Sequence, residues 1–358
     1  MYERTQAQIN LNALEANIAA IRQKIGPDTK LLGVIKADAY GHGYKEVASF
    51  LKDIDYIEMF AVATLQEAIE LRELGINKGI LILGAIPTSK EDIDLAIKYD
   101  ISLTMVSVDY LKLLENLIDE GQTLKVHIKL DTGMHRIGLM SKDELSTLLE
   151  LIDPNKFDVE GIFTHFATAD GDDEAFEKQR NLFYEMIGNC KFKYIHCCNS
   201  AAMTYHHDDK SNMGRLGITM YGCSPNGEEE TKFKQVMSLY TKVAMIKKIP
   251  AGDRVGYGLT YTAKEDEYIA TLPIGYADGF TRANQGREVY INGHYYPVVG
   301  RVCMDQCMVK VDENVKPGDD VEIFGEHISL AKMAKEINTI PYEIICLISP
   351  RVERIYEK

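Results

Sequence analysis

Lys36 lies at the end of an apolar run, in Val-Ile-Lys-Ala-Asp-Ala-Tyr-Gly-His-Gly at 34–43. A lone lysine in that position commonly snorkels its charge out to water. A desolvated lysine instead loses its proton more readily, and the freed lone pair can attack a carbonyl carbon to form an imine. Its company favours the reactive reading. Later apolar runs end in Lys129-Leu-Asp-Thr-Gly-Met-His-Arg-Ile-Gly138, in Thr164-His165 and in Asn199-Ser200, and Arg215 stands just ahead of Gly217 and Ile218. An acid, an imidazole, a hydroxyl and a guanidinium are thus supplied at the ends of separate segments.

These segments have a regular pattern. Leu11, Leu14, Ile18, Ile21 and Ile25 recur at helical spacing. Short buried-strand patterns follow at 31–37, 59–64, 80–85, 102–106, 125–132, 158–165, 194–200 and 217–222. Thr64 with Glu67, Ser89 with Asp92 and Ser141 with Glu144 have capping-box spacing. Eight strands separated by helical segments imply parallel pairing through crossover helices. That predicts an α/β fold, a (β/α)8 TIM barrel, with an open doubly wound sheet as the alternative. Beyond Gly222 the texture changes. The stretch 224–230 is polar and turn-rich, and a mainly antiparallel β region follows, with a hairpin signal at Asn292-Gly293 and one helix near 330–337. The expected domains are a barrel over 1–228 and a β-rich domain over 229–358. The first eight or so residues are candidates to join the second.

In such a barrel the functional groups gather at the carboxyl ends of the strands, and the last two loops commonly hold phosphate. Ser200, Gly217 and Ile218 suit that task. An imine-forming lysine beside a phosphate cradle suggests pyridoxal 5′-phosphate.

The string around Lys36 resembles the lysine signature of the alanine racemases, fold-type III pyridoxal-phosphate enzymes. The likeness continues through 129–138, 164–166, 198–202 and 213–217. In the second domain it extends to Val-Gly-Tyr-Gly-Leu at 255–259, Pro-Ile-Gly-Tyr-Ala-Asp-Gly at 273–279, Gly-Arg-Val-Cys-Met-Asp-Gln at 300–306, and 351–356. The resemblance implies that Lys36 carries the cofactor and is one acid/base, with Tyr257 from a second subunit as the opposed one. It implies that His165 and Arg215 tune that tyrosine, and that Arg215 donates to the cofactor's ring nitrogen. Tyr40, Ser200, Gly217, Ile218 and Tyr356 would hold the phosphate. Arg136 and the Met304 amide would bind the substrate carboxylate, Lys129 would be a carbamylated residue or a plain lysine, and Tyr276 with Asp305 would line the mouth of the site. His135 departs from the pattern, where a small or amide residue is usual. The implied protein is a homodimer that interconverts L- and D-alanine, supplying D-alanine for peptidoglycan. The rivals are a racemase of another amino acid such as serine, a decarboxylase of the same fold, and a non-catalytic cofactor carrier.

Composition narrows the partners. Forty Lys and Arg against 54 Asp and Glu give a net charge of −14, which disfavours nucleic acid and anionic membranes. No apolar run reaches the roughly 18–20 residues that span a bilayer. Seven dispersed cysteines read as reduced thiols in the cytoplasm. His206-His207-Asp208-Asp209 reads as a solvated loop rather than a metal site, and Cys303 and Cys307 read as packing residues.

Overall fold

The computed structural model describes residues 4–228 and 232–358. Of the turn-rich stretch 224–230, residues 229 and 230 lie outside the described residues, as does the expected domain start at 229. Two compact units are present. One comprises Ile18–Ala39 and Tyr44–Thr219; the other comprises the described residues of Met1–Asn17, Tyr40–Gly43 and Met220–Lys358.

After β1 (Thr5–Asn10) and the helix Leu11–Ile25, the first unit is built on β2 (Lys30–Val34), β3 (Ile57–Val62), β4 (Gly79–Ile82), β5 (Leu103–Met105), β6 (Leu124–Lys129), β7 (Phe157–Phe163), β8 (Tyr194–His196) and β9 (Met213–Leu216). The strands pair in parallel in two arcs, β4-β3-β2-β9 and β5-β6-β7-β8. Ser102 joins one end of the arcs: its amide donates to Ile80 O at 2.8 Å, and its carbonyl accepts from Ile82 N at 3.0 Å. At the other end Asn212 N donates to Ile195 O and Arg215 N to Cys198 O, at 3.1 and 2.9 Å. The ring therefore closes, as the repetition of βα segments predicts. Helix starts follow the capping signals. Thr64, Ser89 and Ser141 each accept a hydrogen bond from the amide three residues on.

The eighth strand needs correcting. It is Met213–Leu216 and carries Arg215, whereas 217–222 contains a short 3-10 turn, Ile218–Tyr221. Gly214 and Arg215 break the apolar pattern of the true strand, while Ile218, Met220 and Tyr221 are buried outside any ladder. The loop after helix Ser200–Tyr205 also differs from expectation. Only 1% of the Asp208 side chain is exposed, because it turns inward onto Arg180, Tyr184 and Ser211.

The second unit holds β10 (Met237–Lys242), β11 (Met245–Ile249), β12 (Arg254–Val255), β13 (Tyr261–Thr262), β14 (Glu267–Leu272), β15 (Glu288–Ile291), β16 (His294–Val299), β17 (Cys307–Val311), β18 (Asp320–Phe324) and β19 (Glu353–Glu357). Its main sheet runs β11-β14-β17-β16-β15-β18-β10-β1-β19. All its pairings are antiparallel except β1 with β19. Asn292 and Gly293 both take positive φ, 47° and 91°, as a two-residue hairpin turn requires. Besides the expected helix at Leu330–Glu336 there is a second, Pro341–Leu347. Its N1 proline is a start signal that the single-helix expectation passed over.

Candidate active site

Lys36 does not end its strand; β2 stops at Val34. From Ala37 to Tyr40 the backbone turns left-handed, with φ of 52°, 55°, 53° and 55°. Left-handed geometry costs L-residues roughly 1–2 kcal/mol each, so the turn must be held from outside. Glu67 Oε1 accepts from Ala37 N at 2.7 Å, and Asp38 Oδ1 accepts from Tyr44 N at 2.8 Å. Glu67 also accepts from Ala63 N and Thr64 N, so one carboxylate caps the helix Leu65–Glu73 and anchors the lysine's turn. At Gly41 a Cβ would lie 2.2 Å from Ile345 O, so only glycine fits. Strain gathered beside a reactive-type residue is characteristic of functional sites.

Arg215, 3% exposed, is fixed in the barrel wall by carbonyls. Its Nη2 donates to Thr164 O at 2.7 Å and Cys197 O at 3.1 Å, and its Nη1 donates to His196 O. It also lies 3.2 Å from His165 Nδ1 and 3.3 Å from His196 Nδ1. A guanidinium only donates, so both imidazoles must accept at Nδ1 and carry their proton on Nε2. Burial first, then the Arg215 charge, pushes His165 well below the usual histidine range. Burial, with His127 and Arg215, does the same to His196. His196 Nε2–H then donates to His127 Nδ1, 2.9 Å away. Burial lowers His127 to about 3.

Lys129 ends β6 and is buried, with its ammonium against the Leu130 carbonyl. Burial, reinforced by Arg215, brings its pKa down to about 7. Asp131 organises the loop beyond it: Oδ1 accepts from the amides of Gly133, Met134 and His135 at 3.0, 3.1 and 3.0 Å. Burial raises the Asp131 pKa, but these amides and Lys129 outweigh it and hold the carboxylate below its ordinary range. The loop is cross-tied by Leu139 N to Lys129 O and Asp131 N to Leu139 O, which sets Arg136 on its exposed side. His135 sits at φ 55°, in the left-handed region that histidine, like Asn and Asp, enters more readily than most residues.

Ser200 opens the helix Ser200–Tyr205, capped by Asn199, and its Oγ accepts from Gly217 N at 2.9 Å. Ile218 is buried in the 3-10 turn that follows. The loops after β8 and β9 thus meet at a hydroxyl and a backbone amide, with helix N-terminal amides beside them. The donor set fits a phosphate group.

In the second unit Tyr356 Oη donates to His42 O at 3.0 Å, and Arg354 donates to Gly41 O, so β19 holds the segment Tyr40–Gly43. Asp278, fully buried, takes both terminal nitrogens of Arg4 at 2.9 and 3.0 Å, Arg351 Nε at 3.3 Å and Gly275 N at 2.9 Å. Arg351 also reaches Asp305 at 2.9 Å. Tyr276 N donates to Cys303 O and Ala277 N to Met304 O, bringing the Tyr276 and Met304 loops together. Gly256, next to Tyr257, packs against Gly300 and Arg301 at the root of the Met304 loop. Tyr257, Met304 and Tyr276 are 72%, 53% and 45% exposed. Sequence reasoning found Glu67 only as a helix cap and missed it and Asp131 as anchors, along with His127, His196 and Asp278; of these, only Asp131 and Asp278 stand inside matching strings.

Models of the N-terminal and C-terminal domains of alanine racemase match residues 9–225 and 236–356. The chain belongs to the alanine racemase family. The alanine racemase of Streptococcus pyogenes serotype M12 (strain MGAS2096) is 41% identical over 362 residues, 98% of each chain. The crystal structure of alanine racemase from E. faecalis, 37% identical, superposes with a TM-score of 0.94 over 99% of this chain and 98% of that one. The Bacillus anthracis alanine racemase with bound L-Ala-P is 38% identical, with a TM-score of 0.93 over 100% and 96%. The alanine racemase activity, that of a pyridoxal-phosphate-dependent isomerase, follows from this kinship. Among the described residues no helix is long and apolar enough to cross a membrane.

Proposed function

We propose that alanine is racemised here between two acid/base groups on opposite faces of its Cα, Lys36 and the Tyr257 of a second subunit. The Arg215–His165 pair carries this reading. When bound at Lys36, pyridoxal phosphate supplies an electron-withdrawing ring conjugated to the amino-acid nitrogen, which acidifies the Cα–H bond. Lys36 Nζ takes or returns the proton on one face, and Tyr257 Oη on the other. A phenol has a reference pKa of about 10 and is a weak base at neutral pH. His165, with Nδ1 occupied by Arg215, presents Nε2–H, a donor that stabilises the tyrosine's oxyanion. Arg215, which does not surrender its proton, would donate to the cofactor's ring nitrogen and leave it unprotonated, a weaker electron sink that favours rapid reprotonation of Cα over side reactions. Arg136 and the Met304 amide bind the carboxylate, and Tyr276 and Asp305 line the mouth. Tyr40, Ser200, Gly217, Ile218 and Tyr356 hold the phosphate. Lys129, neutral enough near pH 7 to add to CO2 with loss of a proton, becomes a carbamate that braces Arg136.

The same reading makes the molecule a cytoplasmic homodimer whose barrel meets its partner's β domain, making D-alanine for peptidoglycan. The exposed Tyr257, Tyr276 and Met304 support such an interface. Two experiments test it. Tyr257→Phe should keep the cofactor's absorbance yet lose about 10²–10⁴-fold in turnover, with α-proton exchange into D2O lost for one alanine enantiomer only. Mixing inactive Lys36→Ala and Tyr257→Phe proteins should restore about a quarter of the sites, since random re-pairing gives hybrids with one intact site. Symmetrical loss of exchange, or no recovery on mixing, would overturn the two-base dimer.

A further inference from the structure

Behind the strand that leads to Ser200, the barrel wall contains a cluster that the racemase reaction does not use. Cys197 and Cys198 follow β8, and their sulfurs lie 3.8 Å apart. Asp208 Oδ2 is 3.3 Å from Cys197 Sγ. All three ligand atoms lie within 4.8 Å of one another, the one such grouping among the described residues. We propose that Cys197, Cys198 and Asp208 form a binding site for a thiophilic divalent cation of the zinc or cadmium type.

The distances suit that ion. Zinc–sulfur bonds of about 2.3 Å at tetrahedral angles put two sulfurs about 3.8 Å apart, and a sulfur and a carboxylate oxygen about 3.5 Å apart. Two thiolates also select for soft metals over calcium or magnesium. Charge balances as well. Two thiolates and Asp208 give three negative charges, and the ion with Arg180, whose Nε lies 3.0 Å from Asp208 Oδ1, gives three positive. A buried site that is electrically neutral avoids the desolvation penalty of a lone ion. A cavity of about 60 Å³ beside Cys198, Asp208 and Ser211 has room for an aqua ligand in the fourth position.

Without metal, Asp208 Oδ2 accepts from Tyr184 Oη at 2.6 Å, from Ser211 Oγ and N at 2.5 and 3.0 Å, and from the Cys197 thiol. On binding, the ion replaces the thiol proton as the partner of Oδ2. Two sulfur–metal bonds form, and both thiol protons pass to solvent. The site adjoins the racemase machinery, because the Cys197 and Cys198 carbonyls accept from Arg215 Nη2 and N.

Titrating the reduced, cofactor-loaded chain with Cd2+ tests the site. The expected result is one tightly bound ion per chain with thiolate-to-cadmium charge-transfer absorption. Cys198→Ala and, separately, Cys197→Ser should abolish that absorption. Asp208→Asn should weaken binding at least tenfold, and Cys190→Ser and Cys346→Ser, at exposed thiols, should change nothing. Retained cofactor absorbance in each variant shows that it has folded. Absence of the charge-transfer signal in the parent protein, or its persistence in both Cys197→Ser and Cys198→Ala, would overturn the proposal.

Discussion

Arg215 spans the carbonyls of Thr164, His196 and Cys197 and sets the proton positions of two histidines. Arg215→Met leaves those carbonyls without their donor. Each orphaned buried acceptor costs about 1–3 kcal/mol, so urea unfolding should show a loss of at least about 2 kcal/mol. The variant also frees His165 from one neighbouring charge, so its pKa should rise, while burial, the larger cause, still holds it below the ordinary histidine value. Any acid limb of kcat/KM that His165 sets should then shift to higher pH. Lys129 makes a stability prediction of definite sign. Its amine titrates at about 7 in the fold against 10.5 ordinarily. Between those values the unfolded chain holds the proton and the folded chain does not, so stability rises with pH across that window. As pH falls from 10.5 to about 7 that stability is lost, and below 7 both states hold the proton and the slope vanishes. In CO2-free buffer Lys129→Met should flatten this slope; an unchanged slope would mean that the amine is not desolvated.

At the scale of elements, Glu67 ties the helix Leu65–Glu73 to the left-handed turn after Lys36. Glu67→Ala should cost about 1–2 kcal/mol, as a lost cap does, and should also speed cofactor loss in dialysis. A helix cap alone would affect only the first. His135→Gly relieves about 1–2 kcal/mol of left-handed strain at the expense of about 0.4–1 kcal/mol of unfolded-state entropy. A net gain of about 0.5–1 kcal/mol should appear in thermal unfolding. Much of this architecture was legible. Short apolar runs marked seven barrel strands because those strands are buried on both faces, and Thr64 and Ser89 announced their helices. The eighth strand was not, because its arginine looks polar until the carbonyls around it are in place. The turn at Ala37–Tyr40 was equally hidden, since Ala-Asp-Ala has no intrinsic left-handed preference. Lys36, His165 and Ser200 could be found as chemical types at segment ends. Glu67 and Asp278 could not, because a carboxylate becomes an anchor only through donors brought from far along the chain.

Across the whole molecule, β1 lies between β10 and β19 in the main sheet, pairing Gln8 with both Ser238 and Ile355. Gln8→Pro would remove a ladder donor from a strand paired on both sides, a loss of about 1–3 kcal/mol. Lower yield of folded protein and a lower thermal midpoint should follow. An unaltered protein would show β1 to be dispensable. The placement of β1 also imposes an order in time. During translation Thr5–Asn10 leaves the ribosome well before Glu353–Glu357, so one of its edges stays uncovered until that last strand has been made. Even after Met237–Lys242 has covered one side, the nascent chain must therefore carry a strand with one open edge until Glu353–Glu357 emerges. That open edge is where chaperone capture, or mispairing between neighbouring polysomal chains, is to be expected.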